Sequence, residues 1–386
     1  MMSLSEFLAK KGEFYSKIDP FVAFRILEKY QRHFKIPPII HIVGTNGKGS
    51  TGRFLAQLLE ILGYEVGHYS SPHLFDFKER FYLKKGIVDE DLLEKTHQKL
   101  SLILQEDLEK LSYFEYATFL AALLFEKCDF IIFEAGLGGE YDATSVFKKR
   151  LSIFTQIDYD HEQFLGNTLE KIARTKLKTM AKKALISTNQ NESVLKMAQK
   201  IALLKEAKLC VLRDLSPDLL ENLELYKTKF KLPLFLENNL KLALKACEIL
   251  LSKSQTIKAL QNLTSLNLRG RLEKLKENLY IDVGHNVLAT RALCEYFKGE
   301  KLEIVYNSFL DKKIFEILKI LKPISAKIMV FKCENETRAL ANEQIFDLCE
   351  KLNIKCEEFK ELDKDKKTLV FGSFVLVEKF LKDYGA

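Results

Sequence analysis

Short uninterrupted apolar runs alternate along this chain with stretches in which apolar residues return every three or four positions. The first pattern suits strands buried on both faces and the second suits helices packed on one side. Together they predict an α/β fold built on a mostly parallel sheet. In the first part of the chain the strand-like runs lie at 39–43, 130–133, 152–157, 184–187 and 209–212. The earliest leads through a glycine-rich loop into a helix expected at 51–62, where Phe54, Leu55, Leu58, Leu59 and Leu62 share a face and Gly63 stops it. Asn167-Thr168-Leu169-Glu170 has a capping-box pattern and opens another helix. A helix expected from Asn239 to Leu251 and a short one near Ile257 precede a polar stretch at 262–269. A second α/β block follows, with strands at 279–283, 302–306, 327–331 and 368–371 and helices at 287–297, 313–321 and 342–352. The boundary is therefore placed between 1–266 and 267–386, the second and smaller domain reading as Rossmann-like. No internal repeat or low-complexity segment interrupts the pattern.

Composition narrows the class. Of 386 residues, 47% are apolar and 29% charged, the profile of a globular protein with a sizeable core. The net charge of +7 is thinly spread, with no clustered basic patch or finger pattern, so a nucleic-acid partner is not expected. A modest positive surplus suits small polyanions such as ATP or a polycarboxylate. The seven cysteines form no Cys-x-x-Cys pair and read as free thiols in a reducing compartment. Glu6, Lys10 and Lys11 interrupt any signal-peptide core, and no apolar segment approaches the roughly 18 residues of a membrane span. A cytoplasmic monomer without a membrane partner is the expectation.

The candidate chemistry starts at Gly44-Thr45-Asn46-Gly47-Lys48-Gly49-Ser50-Thr51, between a predicted strand and a predicted helix. Glycines let the backbone turn so that successive N–H groups face phosphate oxygens, and the helix adds its positive end. Lys48 can reach the outer phosphates of ATP, and Ser50 or Thr51 can touch a magnesium shell. The spacing is shorter than the Walker pattern between the first two glycines, and Gly49 follows the lysine. Glu134 closes the apolar run at 130–133, and His161 follows another run through Asp158-Tyr159-Asp160. Both lie beyond the carboxyl ends of strands, where open α/β sheets bind ligands. A carboxylate suits magnesium well. Histidine is a less usual partner for so hard an ion, and a loop hydrogen bond is its default role. A Ser-Pro pair such as Ser71-Pro72 is by itself a turn signal.

The loop, with His41-Ile42-Val43 before it, closely resembles that of folylpolyglutamate synthases and dihydrofolate synthases, Mur-ligase-like enzymes that form amide bonds with ATP. The resemblance continues in order along almost the whole chain. It implies a P-loop ATPase-type first domain, 1–266, carrying the Mur-ligase-like centre, and a C-terminal ligase domain, 267–386. In that pattern Asn46, Gly47, Lys48, Gly49, Ser50 and Thr51 hold the nucleotide, and Ser71, Glu134 and His161 are metal ligands. Lys48, His161 and Lys176 are catalytic, Lys176 as a carbamate formed with carbon dioxide. Ser112-Tyr113-Phe114-Glu115 matches the segment holding the pterin end of dihydropteroate. Asn239, Arg271, Asp282 and His285 match nucleotide contacts. Gly138-Gly139-Glu140-Tyr141-Asp142-Ala143-Thr144-Ser145 departs from the family's Gly-Gly-Arg-Leu-Asp-Ala-Thr-Asn at Glu140 and Ser145, and the residues after Lys176 depart from its Ala-Gly-Ile. The implied activity is a bifunctional one: ATP- and Mg2+-dependent addition of L-glutamate to dihydropteroate and to folates through an acyl phosphate. A synthase acting on folates alone, a Mur-type peptide ligase and a non-catalytic nucleotide switch are the competing readings.

Overall fold

The computed structural model describes residues 2–12, 19–335 and 338–384. The chain forms two compact units, Met1–Leu266 and Asn267–Ala386.

The first unit is organised by one sheet. Its strands are β1 (Ile39–Val43), β2 (Val66–Tyr69), β3 (Phe81–Leu83), β4 (Gly86–Ile87), β5 (Phe130–Glu134), β6 (Lys149–Phe154), β7 (Lys183–Ser187) and β8 (Lys208–Leu212), in the order β4-β3-β2-β5-β1-β6-β7-β8. All neighbours are parallel except β3, which runs antiparallel to both β2 and β4. Side chains alternate across β1: Ile40 and Ile42 enter one core layer and Ile39 the other. The helix Lys48–Ile61 covers the first face, with Phe54, Leu55, Leu58 and Leu59 fully buried alongside residues of the helix Leu234–Leu250. The helix Tyr113–Leu124 covers the other. Truncating one such leucine to alanine costs about 2–5 kcal/mol.

Several elements differ from expectation. Strand β2 reads Val-Gly-His-Tyr, and its polar letters hide a segment buried at every position. The expected strand at 152–157 is β6, which begins earlier at Lys149 and ends at Phe154, its last positions becoming a loop. The helix after the glycine loop starts at Lys48 because Gly47, at φ +86°, turns the chain into its first residue. Asn239 does not open a helix; it lies in the second turn of the helix Leu234–Leu250, capped by Pro233. Thr168, not Asn167, caps the helix Leu169–Leu177, through one bond from Lys171 N and without a reciprocal glutamate.

The second unit has a smaller sheet of β9 (Glu273–Lys276), β10 (Leu279–Asp282), β11 (Leu302–Tyr306), β12 (Ser325–Val330), β13 (Cys356–Glu358) and β14 (Thr368–Phe371), in the order β13-β12-β11-β14-β10-β9. Only the edge strand β9 is antiparallel. No helix among the described residues is long and apolar enough to cross a membrane.

Candidate active site

The register of the large sheet brings the candidate residues to one edge. Ile42 stands opposite Glu134 on one side and Ile153 on the other, so the chain leaves β1, β5 and β6 at the same level. The glycine loop is then tied to the segment after β6: Thr45 N donates to Gln156 O at 2.8 Å, and Thr45 Oγ1 donates to Asp158 O at 2.9 Å. Gln190 holds that segment from behind, accepting from Ile157 N and donating to Thr155 O. The helix Lys48–Ile61 has no side-chain cap, so its first N–H groups face the loop. A Cβ on Gly47 would collide with Asn239 Oδ1, which places the Asn239 amide against the loop.

Three ionisable groups meet there. Lys48 Nζ donates to the carbonyls of Gly44 and Thr45 at 3.3 and 3.2 Å and lies 3.9 Å from Glu134 Oε1. Glu134 is buried, and its other oxygen accepts from Ser71 N at 3.3 Å. Lys176 Nζ reaches the same Gly44 carbonyl at 2.9 Å. Burial first, then the like charge of Lys48, brings the Lys176 amine down to about 7, while Asp160 and Asp142 pull the other way. The Lys48 ammonium, the Lys176 amine and the helix N-terminus thus lie beside the same loop, an arrangement suited to polyphosphate.

Whether these residues suit a metal depends on their oxygens. The Glu134 carboxylate and the hydroxyls of Ser71, Ser50 and Thr51 are hard donors, and Thr51 Oγ1 is buried without a hydrogen-bond partner. Among the described residues no three His, Cys, Asp or Glu side chains converge into a cage. Magnesium takes one or two carboxylates and completes its shell with water and phosphate oxygens, so the set fits that ion. His161 sits in a left-handed conformation at the start of the helix Glu162–Leu165, its imidazole 4.0 Å from the Asp160 carboxylate.

Asp142 is a residue whose role the sequence left unassigned. It accepts from the backbone N–H of Gly136, Leu137 and Thr144, so it shapes the loop after Glu134. Burial raises its pKa and these bonds oppose the rise. The departures around it meet: Glu140 accepts from Lys178 Nζ through both oxygens at 2.8 Å.

Ser112 and Glu115 form the capping box of the helix Tyr113–Leu124, which accounts for their spacing. Tyr113 is buried against Phe77 and Arg80. Phe114 is half-buried and lies over Gly136, where any Cβ would strike its ring.

The second unit assembles its own cluster. Asp282 ends β10 and accepts from Leu272 N at 2.8 Å and Gly284 N at 2.7 Å, fastening the Arg269–Leu272 turn to the strand end. Burial raises its pKa, and the neighbouring charges of Arg271 and His285 oppose that. The Arg271 guanidinium lies 5.4 Å from the Phe374 ring centre.

Comparison with known proteins agrees with this architecture. The model of the Mur ligase middle domain matches residues 42–212. The dihydrofolate synthase/folylpolyglutamate synthase of Buchnera aphidicola subsp. Schizaphis graminum is 30% identical over 374 residues, covering 88% of this chain and 86% of that protein. Its Haemophilus influenzae counterpart is 29% identical over 419 residues, covering 92% and 91%. Among solved structures, Helicobacter pylori folylpolyglutamate synthetase is 41% identical with a TM-score of 0.81, covering 99% of this chain and 98% of that one. Escherichia coli FolC in complex with DHPP and ADP is 25% identical with a TM-score of 0.80, covering 100% and 98%.

Proposed function

The chain belongs to the dihydrofolate synthase/folylpolyglutamate synthase family of ATP-dependent ligases, and from that premise we propose that it adds L-glutamate both to dihydropteroate and to folates. The observation that carries the reading is the cluster of Lys48, Glu134 and Lys176 around the uncapped start of the helix Lys48–Ile61. ATP lies with its phosphates in the glycine loop, and the acceptor carboxylate attacks the γ-phosphorus to give an acyl phosphate and ADP. Lys48 and the helix N–H groups stabilise the charge that spreads over the transferring group. Mg2+, when bound through Glu134 with Ser71 and His161, supplies further charge neutralisation on the phosphates. The glutamate amine then displaces phosphate, leaving the amide.

Lys176 has a separate task in this reading. An amine with a pKa of about 7 is substantially neutral at physiological pH and therefore nucleophilic toward carbon dioxide. The resulting carbamate, with one proton released, would replace a repulsive ammonium beside Lys48 with a negative group. Phe114, stacked over Gly136 at the loop after Glu134, is the aromatic face offered to the pterin; Tyr113, Ser112 and Glu115 hold its helix in place. Asn46, Gly47, Gly49, Ser50, Thr51 and Asn239 line the nucleotide in the first unit. Arg271, Asp282 and His285 are assigned to the nucleotide on the family resemblance. The seven free cysteines suit a reducing compartment, so the reading places a monomeric enzyme in the cytoplasm.

The test is a product assay with ATP, Mg2+, L-glutamate and either dihydropteroate or tetrahydrofolate. ADP-coupled product with both acceptors is expected. Product with tetrahydrofolate alone would leave a folylpolyglutamate synthase, the name carried by the Helicobacter pylori relative. Product with neither would overturn the reading.

A further inference from the structure

The first unit has a cavity of about 1130 Å³ away from the phosphate loop. Pro37 and Pro38 line it just before β1, Lys149 and Arg150 line it at the start of β6, and Lys183 lines it at the start of β7. These strands run parallel, so the cavity lies at their amino ends while the glycine loop leaves the carboxyl end of β1. The five residues of β1 put about 16 Å of strand between the two.

Its lining is strongly one-signed. Seven basic side chains border it against one acid, Glu140, among the described residues. Glu140 pairs with Lys178, and Glu206, outside the lining, pairs with Lys182. Lys149 and Lys205 have no carboxylate within ion-pair distance among the described residues, and backbone carbonyls hold them instead. Lys149 Nζ donates to Ser145 O at 2.8 Å, and Lys205 Nζ donates to the carbonyls of Lys178 and Met180. An ammonium has three N–H groups, so Lys149 retains donors for a ligand. Burial first, then the charge of Lys205, brings Lys149 down to about 8, while the Asp142 carboxylate pulls the other way. The lining also has an apolar part, with Phe24, Leu27, Phe34 and Phe147. Such a surface excludes water and strengthens any charge interaction made beside it.

We infer that this cavity is a second anion site, built for a small molecule bearing two or more phosphate or carboxylate groups. The anion supplies the missing counter-charge to Lys149 and Lys205 and competes with Glu140 for Lys178. Calorimetric titration of the full chain, with saturating ADP present to occupy the phosphate loop, tests this with two probes: inorganic pyrophosphate and tri-γ-glutamate. At least one probe binds near one per chain, and more weakly at 200 than at 50 mM salt, about the range in which exposed charges become screened. Binding of pyrophosphate alone identifies a phosphate ligand and binding of tri-γ-glutamate alone a carboxylate one. The double variant Lys148→Glu/Lys205→Glu lowers probe affinity at least tenfold and leaves ADP affinity within twofold. Lys149→Gln, which keeps an N–H for the Ser145 carbonyl, gives the same loss and guards against a surface variant that folds poorly. No probe binding beside ADP, or equal affinity in the parent and both variants, overturns the inference.

Discussion

Replacing Lys176 by methionine separates the burial of a charge from everything else at the active site. In the unfolded chain this amine keeps its proton up to its ordinary pKa of 10.5, and in the folded chain it releases it near 7. Below about pH 7 both states hold the proton and folding bears the full cost of burying it, about 5 kcal/mol for such a shift. Between pH 7 and 10.5 only the unfolded state is protonated, so the cost shrinks and stability rises by about 1.4 kcal/mol per pH unit. Methionine fills similar space without the charge but leaves the Gly44 carbonyl without the Lys176 donor, a loss of about 1 kcal/mol. The variant should therefore be the more stable at pH 7.5, with its advantage shrinking by about 2 kcal/mol by pH 9. The measurement is urea unfolding of parent and variant in buffer freed of carbon dioxide, so that no carbamate forms, following the transition that ADP shifts. Other titrating groups cancel in the difference. A gap that stays constant from pH 7.5 to 9, or a variant less stable throughout, would refute the desolvated amine.

Four further outcomes follow from the site. Lys48→Ala should lower ligation at least about a hundredfold with an unchanged melting temperature, since the lysine touches carbonyls and a carboxylate rather than the core; near-normal turnover in a folded variant would sink its role. Glu134→Ala should steeply raise the magnesium needed for half-maximal activity, and a titration matching the parent's would show that Glu134 is no ligand. Gly47→Ala and Gly63→Ala both force a left-handed residue, at about 1–2 kcal/mol, but only the former drives a Cβ into Asn239. Both should lower the melting temperature, Gly47→Ala the more because Asn239 must move, and ADP affinity should fall for Gly47→Ala alone; equal ADP affinities would remove Asn239 from the nucleotide site. Phe114→Ala should reduce turnover of dihydropteroate more than that of tetrahydrofolate, and equal losses in a protein of normal circular dichroism would take the pterin off this ring.

The residue pattern alone determined the elements whose signal is local. β1, β5, β7 and β8 are short apolar runs of strand length bounded by polar residues, Pro or Gly, and the phosphate loop follows from glycines, a lysine and hydroxyls set between strand and helix. Glu134 could be placed at a strand end because an apolar run stops just before it, whereas His161 lies seven residues past the end of β6 at Phe154. What depends on distant segments was not legible. Val-Gly-His-Tyr becomes β2 because Phe125 packs over Gly67 and the His68 ring against Gly52, contacts that no local period reports. Lys149 and Arg150 lie before the expected strand at 152–157, yet they open β6 because pairing with β1 extends past the apolar residues. Asn239 reads as a helix start but lies inside one, and its contact with Gly47 exists only once the helix Leu234–Leu250 packs on the helix Lys48–Ile61. The pairing of Glu140 with Lys178, the lowered pKa of Lys176 and the convergence of lysines at the amino ends of the strands share this origin. Desolvation and repulsion between charges are collective, set by every group the fold brings near, so tertiary structure decides them while sequence spacing records only which residues are available.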